Sequence, residues 1–349
     1  MKLIRDITPF LPSFLNGCCV TLGNFDGVHI GHQAMIGALV KKACELSKPS
    51  VVILFEPQPL EFFSNNYADS STQSTRSTSR GLSAGSMILE KSLDPADKPR
   101  DVEVLLAPVR LSSLRDKLSL IAPLGVDYVW VLKFNAQLSA MSPQQFLQTC
   151  LSRLNTKYAL VGDDFRFGKA RTGDIATLKS WALAEGVSVE VFQDVKVNHH
   201  RVSSTRLRAF LKEANLKEAF DLLGHPFTLT GRVVVGDGRG REWGIPTANI
   251  ALKRQGVPLL GVYFVKVDIE GLGHFNGVAN LGHRPTVDGL KCVLEVHVFD
   301  FDGNLYGKHL RVQFLDKIRD EQRFSSINEL IQQIHRDIDE AKKRVLVHG

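Results

Sequence analysis

Two histidines, His29 and His32, stand three residues apart at a point where residue type and spacing together suggest chemistry. They follow an apolar run over residues 18–22 and a glycine-marked turn, and a helical pattern begins directly after them. Histidines at this spacing share one face of a helix. A helix N-terminus offers free N–H groups and a positive dipole end, so imidazoles placed there are suited to hold a phosphate. The alternative is a structural pair or part of a metal site.

The order of strand, glycine-rich turn and histidines resembles the signature of the HxGH nucleotidyltransferases. That resemblance implies transfer of a nucleotidyl group with pyrophosphate as the leaving group, and it leaves the acceptor open. The same stretch supplies four further candidates for nucleotide binding, namely Gly23, Phe25, Asp26 and Gly31.

A second polar segment, over residues 201–208, places hydroxyl groups at a predicted helix start beside three arginines. Hydroxyl and guanidinium donors in this arrangement suit a triphosphate, which makes Arg201, Ser204 and Arg206 candidate ligands. The alternative is a simple N-cap by Ser204 with solvated arginines. Asp164 is a further candidate, because it lies in a polar loop that follows a predicted strand.

Glycines recur around an arginine at Gly236, Gly238, Arg239 and Gly240. Because no helix is predicted after them, they do not fit a dinucleotide-binding fingerprint. They favour instead a flexible flap whose backbone N–H groups approach phosphates.

Three polar residues further along are candidates for phosphoryl transfer. Thr247 and Asn249 alternate onto one side of an extended segment, and their neutral oxygens are ligands that Mg²⁺ accepts beside phosphate and water. In isolation this Pro-Thr-x-Asn segment is also typical of a turn. Glu295 lies in an alternating run, on the face opposite the apolar residues 294, 296 and 298. If that face lines a barrel mouth, Glu295 is a candidate general base for a hydroxyl nucleophile; if it faces solvent, it is a surface residue.

The predicted elements alternate between strand and helix in the first part of the chain. Strands are predicted at residues 18–22, 51–55, 128–132, 158–161 and 187–192, with helices between them, one of which starts at Ser142 and Pro143. This alternation predicts an α/β fold with a mostly parallel, Rossmann-like sheet that binds ligands at the carboxyl ends of its strands.

The pattern changes after a predicted pair of helices that ends at residues 224–226. Short apolar runs at 227–235, 262–269, 275–280, 292–299 and 310–314 predict a small antiparallel β-barrel, followed by a terminal helix over 326–345. We therefore expect a nucleotidyltransferase domain over residues 1–200, a helical connector over 201–224 and a barrel domain over 225–349.

A polar segment interrupts the first domain. Serine and threonine make up 11 of the 23 residues from 64 to 86, and the sequence stays polar to residue 100. Such a composition buries too little apolar surface to offset the entropy of ordering, so residues 64 to about 103 are predicted to be a disordered insertion.

Composition narrows the class of protein. The 349 residues are 44% hydrophobic, and the net charge of +6 suits a nucleic-acid-binding protein and a protein with polyphosphate ligands equally. The sequence contains no basic run interleaved with aromatic residues, which argues against nucleic-acid binding. Five cysteines without a C-x-x-C spacing are expected to be reduced. No signal peptide or membrane-spanning run is recognised, so we expect a cytoplasmic enzyme that is a monomer or weak oligomer.

The motifs of both halves, taken in order along nearly the whole chain, resemble the prokaryotic bifunctional riboflavin kinase/FAD synthetase family. Further matching segments lie at residues 55–57, 162–169, 277–280, 284–286, 295–308 and 319–324. The resemblance implies that the barrel phosphorylates riboflavin with ATP and Mg²⁺ to FMN. The first domain would then adenylylate FMN with a second ATP to give FAD and pyrophosphate.

The resemblance also assigns roles to residues. His29, His32 and Glu295 would be catalytic, and Thr247 and Asn249 would coordinate Mg²⁺-ATP. The partners implied are riboflavin, FMN and ATP, with no nucleic acid and no membrane. Two other hypotheses remain: a chain with only one active module, and a non-catalytic nucleotide- or nucleic-acid-binding protein. The presence of all five residues in one chain argues against both.

Overall fold

The computed structural model describes residues 1–5, 14–64, 107–236, 238–252, 254, 256–286 and 289–348. The predicted insertion lies outside these residues except for Ser64. Contacts divide the chain into two compact units. The first contains Met1–Asn24, Ala38–Pro108 and Gly125–Gln193, and the second contains Phe25–Gly37, Val109–Leu124 and Asp194–Gly349. The functional boundaries expected at residues 200 and 225 remain a prediction.

The first unit contains a six-stranded parallel sheet, which confirms the predicted α/β fold. The strands are β1 (Lys2–Arg5), β2 (Cys18–Leu22), β3 (Ser50–Glu56), β4 (Tyr128–Lys133), β5 (Thr156–Gly162) and β6 (Ser188–Phe192), in the order β1-β4-β3-β2-β5-β6. The chain adds β3 and then β4 on one side of β2, and later β5 and β6 on the other side. The loops after β2 and β5 therefore begin on either side of a topological switch point, where ligands of such sheets bind.

The apolar strand sequences follow from burial of the sheet on both faces. Val20, Ile53, Trp130 and Leu132 are fully buried in the core of this unit. The predicted helix start is confirmed, because Ser142 caps the helix that begins at Pro143. All five cysteines are free thiols.

The helices of the chain alternate with these strands and continue beyond them. The α-helices of the described chain up to residue 223 are α1 (Ile30–Glu45), α2 (Leu114–Ile121), α3 (Ala136–Ala140), α4 (Pro143–Phe146), α5 (Ile175–Glu185), α6 (Ser204–Lys212) and α7 (Leu216–Leu223), together with a helical stretch over residues 59–64. A two-stranded hairpin, β7 (Lys196–Val197) and β8 (His200–Arg201), precedes α6.

The second unit is built on a closed barrel, which confirms the predicted antiparallel architecture. Its interior is filled by alternate strand residues such as Tyr263, Val265, Leu294 and Val296. The strands are β9 (Phe227–Val234), β10 (Ala248–Ala251), β11 (Gly261–Ile269), β12 (Gly273–Thr286), β13 (Gly289–Val298) and β14 (His309–Arg319), closed in the order β10-β13-β12-β11-β14-β9. A single helical turn, α8 (Arg239–Glu242), follows β9, and α9 (Ile327–His348) ends the described chain.

Helix α9 covers part of the barrel's outer wall. Ile338 and Ala341 of α9 pack against Val262, Phe264 and Val278, which lie on the faces of β11 and β12 opposite the barrel interior. Among the described residues, no helix combines the length and the apolar character needed to cross a membrane.

Candidate active sites

The imidazole rings of His29 and His32 stack at the start of α1, with centroids 3.5 Å apart and planes inclined by 13°. Nδ1 of His29 accepts a 3.2 Å hydrogen bond from the backbone N–H of His32. A neutral imidazole with an accepting Nδ1 carries its proton on Nε2, so His29 presents an N–H donor. A Cβ at Gly31 would lie 3.2 Å from Nδ1 of His29, which explains the glycine between the histidines.

Both rings are neutral at pH 7. Burial lowers the pKa of His29 to about 4, because it disfavours the charged imidazolium, and the charges of Arg201 and Arg208 act in the same direction. Burial also lowers the pKa of His32 well below its usual value, assisted by His29 and by the charge of Lys117. Nδ1 of His32 is buried and has no hydrogen-bond partner among the described residues. The pair is therefore suited to hydrogen-bond a phosphate without carrying charge.

The Asp26 carboxylate fixes the turn that precedes the histidines. It is 3% exposed and accepts hydrogen bonds from the backbone N–H groups of Leu111 and Ser112 and, at 2.6 Å, from Nη2 of Arg208. The Ser204 hydroxyl donates to the Asp26 carbonyl at 2.9 Å. The contacts of Asp26 and Ser204 are thus within the protein and position the turn.

The helix α6 is not capped by Ser204, which was the N-cap in the alternative interpretation of the sequence. The N-cap is Ser203, whose hydroxyl accepts from the Arg206 backbone N–H at 3.3 Å, and this leaves Ser204 free to reach Asp26. Nη1 of Arg206 is buried with no partner in the described part of the chain. Arg201 forms a 3.0 Å ion pair with Asp194.

Three other residues that were predicted to bind the nucleotide lie in different local environments. The backbone N–H of Gly23, just after β2, donates to the Ile53 carbonyl at 3.1 Å. Asp164 lies in an exposed turn directly after β5. Phe25, in the second unit, is buried with a positive φ of 44° and packs edge-to-face on His32, with centroids 5.1 Å apart.

A row of polar residues crosses three neighbouring strands of the barrel. Asn249 of β10 lies opposite Glu295 of β13, and Glu295 lies opposite Asn280 of β12. Residues in register on paired strands share one face, and this face is opposite the buried Leu294 and Val296. The alternation in sequence predicted the face of Glu295 correctly, and the structure places that face on the outer wall of the barrel.

This row lines a cavity of about 380 Å³ between the outer wall of the barrel and α9, called here the helix-side cavity. Glu295 and His297 project into it, and Nδ1 of His297 donates to the Pro246 carbonyl at 2.8 Å. Its apolar wall includes Ile245, Val262, Val278, Phe324, Leu330 and Ile334. A cavity with one apolar wall and one polar row suits a ligand that is apolar on one side and forms hydrogen bonds on the other.

A second cavity, of about 320 Å³, lies on the other side of Thr247 and is called here the loop-side cavity. Thr247 lines both cavities. The loop-side cavity is bounded by Arg241 and by a turn over residues 301–306. A ligand in each cavity would therefore meet the other at Thr247.

Glycines before and within α8 allow close approach to the two candidate metal ligands. A Cβ at Gly236 would overlap the side-chain amide of Asn249, and one at Gly240 would lie 3.2 Å from the Thr247 hydroxyl oxygen. Gly238 has a positive φ of 76°. The side chain of Arg239 lies outside the described part of the structure. The predicted flap is thus a glycine-rich backbone wrapped around Thr247 and Asn249, with one helical turn that was not predicted.

The residues present fit a magnesium ion held mainly by phosphate. Among the described residues, no group of three His, Cys, Asp or Glu side chains is placed to hold a metal. Thr247 and Asn249 instead offer neutral oxygens at the glycine-lined approach, and Mg²⁺ commonly takes few protein ligands beside phosphates and water.

The helix-side cavity is closed by an ion pair that sequence reasoning missed. The Arg319 guanidinium donates to both carboxylate oxygens of Asp337 at 2.7–3.0 Å, and their side chains are 16% and 5% exposed. This pair ties α9 to β14. Asn280 was also missed as a site residue, although it lies on the polar side of an alternating run.

A parallel-sheet unit, an HxGH helix and a barrel with a polar cavity on its outer wall define a transferase that handles nucleotides. The FAD synthetase family model matches residues 11–83 and 96–206, and the riboflavin kinase model matches residues 223–345.

Individual relatives match along almost the full length. A bifunctional riboflavin kinase/FMN adenylyltransferase of Escherichia coli K12 is 42% identical over 97% of this chain and 96% of its own. One from Haemophilus influenzae is 40% identical over 98% of each. The crystal structure of a macrolide-efflux protein from Streptococcus pneumoniae, 27% identical, covers 97% of each chain with a TM-score of 0.70. The chain belongs to the bifunctional riboflavin kinase/FMN adenylyltransferase family, whose two enzyme domains serve flavin cofactor synthesis.

Proposed function

We propose that this chain converts riboflavin to FAD in two ATP-dependent steps at separate sites, with FMN as the intermediate. The barrel, residues 225–349, carries the kinase step. The HxGH region, within residues 1–200, carries the adenylyl transfer. The main support for the proposal is the in-register row of Asn249, Glu295 and Asn280 in the helix-side cavity. Thr247 lies beside this row and lines both the helix-side and the loop-side cavity.

In the kinase step, riboflavin occupies the helix-side cavity and ATP the loop-side cavity. The Glu295 carboxylate accepts the proton of the terminal ribityl hydroxyl as that oxygen attacks the γ-phosphorus, and ADP leaves. Thr247 and Asn249 would hold Mg²⁺, which would neutralise phosphate charge. The flap glycines Gly236, Gly238 and Gly240, with Arg239, lie against the phosphates through backbone N–H groups.

In the adenylyl step, an FMN phosphate oxygen attacks the α-phosphorus of ATP and pyrophosphate leaves. His29 donates from Nε2, and His32 hydrogen-bonds the same phosphates, so the two rings stabilise charge that develops during transfer. Arg201 and Arg206 bind the triphosphate. Asp26 and Ser204 act as positioning residues, while Gly23, Phe25, Gly31 and Asp164 shape the nucleotide site.

A single incubation tests the proposal. The purified protein with riboflavin, ATP and Mg²⁺ is expected to form FMN first and FAD afterwards, followed by chromatography. Accumulation of FMN without FAD contradicts the adenylyl assignment, and the absence of flavin turnover contradicts both. Omitting Mg²⁺ is expected to stop FMN formation.

We further propose a cytoplasmic location, a monomeric or weakly oligomeric state and no nucleic-acid partner.

A further inference from the structure

The turn that leads into α1 contains a strained residue. Val28 is fully buried and has a positive φ of 43°. Positive φ is an outlier for a β-branched residue, and such a conformation persists only where the surrounding contacts over-determine the backbone. His29 follows Val28 directly, so the contacts that hold the Val28 backbone also set the position of the His29 ring.

The side chain of Gln33, on the first turn of α1, supplies such a contact. Its Nε2 donates to the Val28 carbonyl at 2.8 Å and to the Leu223 carbonyl at 2.7 Å. A carboxamide nitrogen carries two hydrogens, so these two bonds use both of them. Because both partners are carbonyl oxygens, it is the nitrogen end of the amide that faces them. Gln33 therefore joins the strained turn to the last residue of α7.

The end of α7 is a firm anchor. Leu223 is buried, and its side chain belongs to the same hydrophobic core as the barrel interior. Gly224 follows α7 with a positive φ of 73°, and its N–H donates to the Phe220 carbonyl at 2.7 Å. A Cβ at Gly224 would lie 3.0 Å from Cγ2 of Ile30 and 3.7 Å from the Gln33 amide, so glycine lets the two helix ends meet. The Leu223 carbonyl thus holds Gln33 from a packed part of the second unit.

The first half of the turn has separate supports. Asp26 is held by the contacts described above, and the Gly27 N–H donates to the Ser112 hydroxyl at 2.9 Å. Gln33 acts further along, at the carbonyl that directly precedes His29. Loss of the Gln33 amide would therefore release the part of the turn nearest the ring, while the contacts of Asp26 remain.

The His29 ring needs accurate placement to act on a phosphate. Its Nδ1 accepts from the His32 N–H, so Nε2–H is the group that can donate to a ligand, and its direction follows from the backbone of the turn. A displacement of about 1 Å in such a group can lower a rate about 10²-fold. The Gln33 amide has committed both hydrogens within the protein, so it acts through His29 and does not itself donate to the phosphates.

We propose that Gln33 is a positioning residue for the adenylyl step. By tying the Val28 carbonyl to the end of α7, it fixes the strained turn and directs the His29 N–H toward the phosphates. This inference rests on the adenylyl function proposed above and adds to it a residue outside the HxGH motif. It also makes the adenylyl site depend on the segment that leads into the barrel.

Gln33→Met, which keeps a side chain of similar length but has no donor, tests the proposal. With FMN and ATP, it is expected to lower kcat for FAD formation about 10- to 100-fold at a nearly unchanged KM for ATP, because the affected contact is made in the transition state. FMN formation from riboflavin by the same preparation is expected at the wild-type rate, which shows that the protein is folded. Gln332→Met, at an exposed glutamine on α9, is the matched control and is expected to equal wild type in both assays.

A double-mutant cycle with His29→Gln separates positioning from a general structural role. If Gln33 acts through His29, Gln33→Met is expected to lower kcat by less than about 3-fold when His29→Gln is already present. Gln33→Glu is a second variant in case Gln33→Met lowers stability. It keeps the shape of the side chain but sets a carboxylate against two carbonyl oxygens, so its loss of FAD formation is expected to be at least as large.

Wild-type rates of FAD formation in both Gln33 variants would overturn the proposal, as would losses that simply multiply in the double variant. Both outcomes leave the proposed function intact, because the wild-type protein forms FAD in each of them. A wild-type protein that forms no FAD would instead contradict the adenylyl assignment, and with it any positioning role of Gln33.

Discussion

Asn249 and Glu295 lie directly opposite each other on the paired antiparallel strands β10 and β13, on the outer wall of the barrel. Their pairing brings a candidate metal ligand beside a candidate base, although 45 residues separate them in sequence. The relationship depends on barrel closure, because β10 is joined to the barrel by β13 on one side and β9 on the other.

Glu295→Gln is expected to lower the rate of riboflavin phosphorylation by about 10²- to 10⁴-fold, because the amide is too weak a base to accept the hydroxyl proton. FAD formation from supplied FMN is expected to continue at the wild-type rate. Separate assays with riboflavin and with FMN measure the two steps. Glu213→Gln, an exposed glutamate after α6, is the control. A Glu295→Gln protein that still makes FMN rapidly would remove Glu295 from the mechanism.

His32→Ala is expected to lower FAD formation by about 10²- to 10³-fold, the usual cost of losing one donor to developing charge. FMN formation from riboflavin should be unchanged, since the helix-side cavity contains neither histidine. His335→Ala, on the exposed face of α9, controls for a nonspecific effect. Equal loss of both products would contradict the division of the two steps.

The pKa of His29, lowered from 6.5 to about 4, makes folding depend on pH. Between these values the unfolded chain binds a proton that the folded protein does not, so the free energy of unfolding falls as pH decreases, by about 1.4 kcal/mol per pH unit. In His29→Gln this contribution is absent. The difference in unfolding free energy between wild type and variant is therefore expected to change by about 1.2 kcal/mol between pH 6 and 5, slightly less than the limiting slope because the unfolded imidazole is only partly protonated at pH 6. Urea denaturation at both pH values measures it, and a difference independent of pH would show that His29 is not held neutral.

Asp337→Asn is expected to lower the free energy of unfolding by about 3–5 kcal/mol, because it leaves the Arg319 guanidinium buried without its counter-ion. The control is Glu340→Gln, which removes a more exposed partner of Arg344 and is expected to cost less than about 1 kcal/mol. Chemical denaturation of the full chain compares them. Similar small losses in both variants would mean that the Arg319–Asp337 pair does not hold α9.

The side on which a strand residue points was predictable from sequence. The alternation over residues 294–298 gave the correct face for Glu295, because strand side chains alternate with a period of two. What that face meets was not predictable, since Asn280 and α9 reach it through pairing and packing between distant parts of the chain. The histidine motif was similarly recognisable, whereas the capping of α1 by Nδ1 of His29 depends on a ring orientation.

Short elements were the least predictable. β1 and β10 have four residues each, too few to establish a period. They are strands because a neighbouring strand pairs with them. The composition of the second unit was not predictable either, because it depends on long-range contacts. Asp26, for example, is held by residues from two distant stretches of the chain.

The contacts of Asp26 bear on whether the two activities are genetically separable. A chain ending at residue 200 would retain both histidines but would lack Arg208 and Ser204, leaving the buried Asp26 carboxylate without its cation and the preceding turn without one anchor. Splitting such a gene between its two predicted enzyme domains would therefore damage the adenylyl half unless the break fell beyond α6. A separable adenylyl half must therefore include α6, so the break has to fall between Lys212 and the start of the barrel at Phe227.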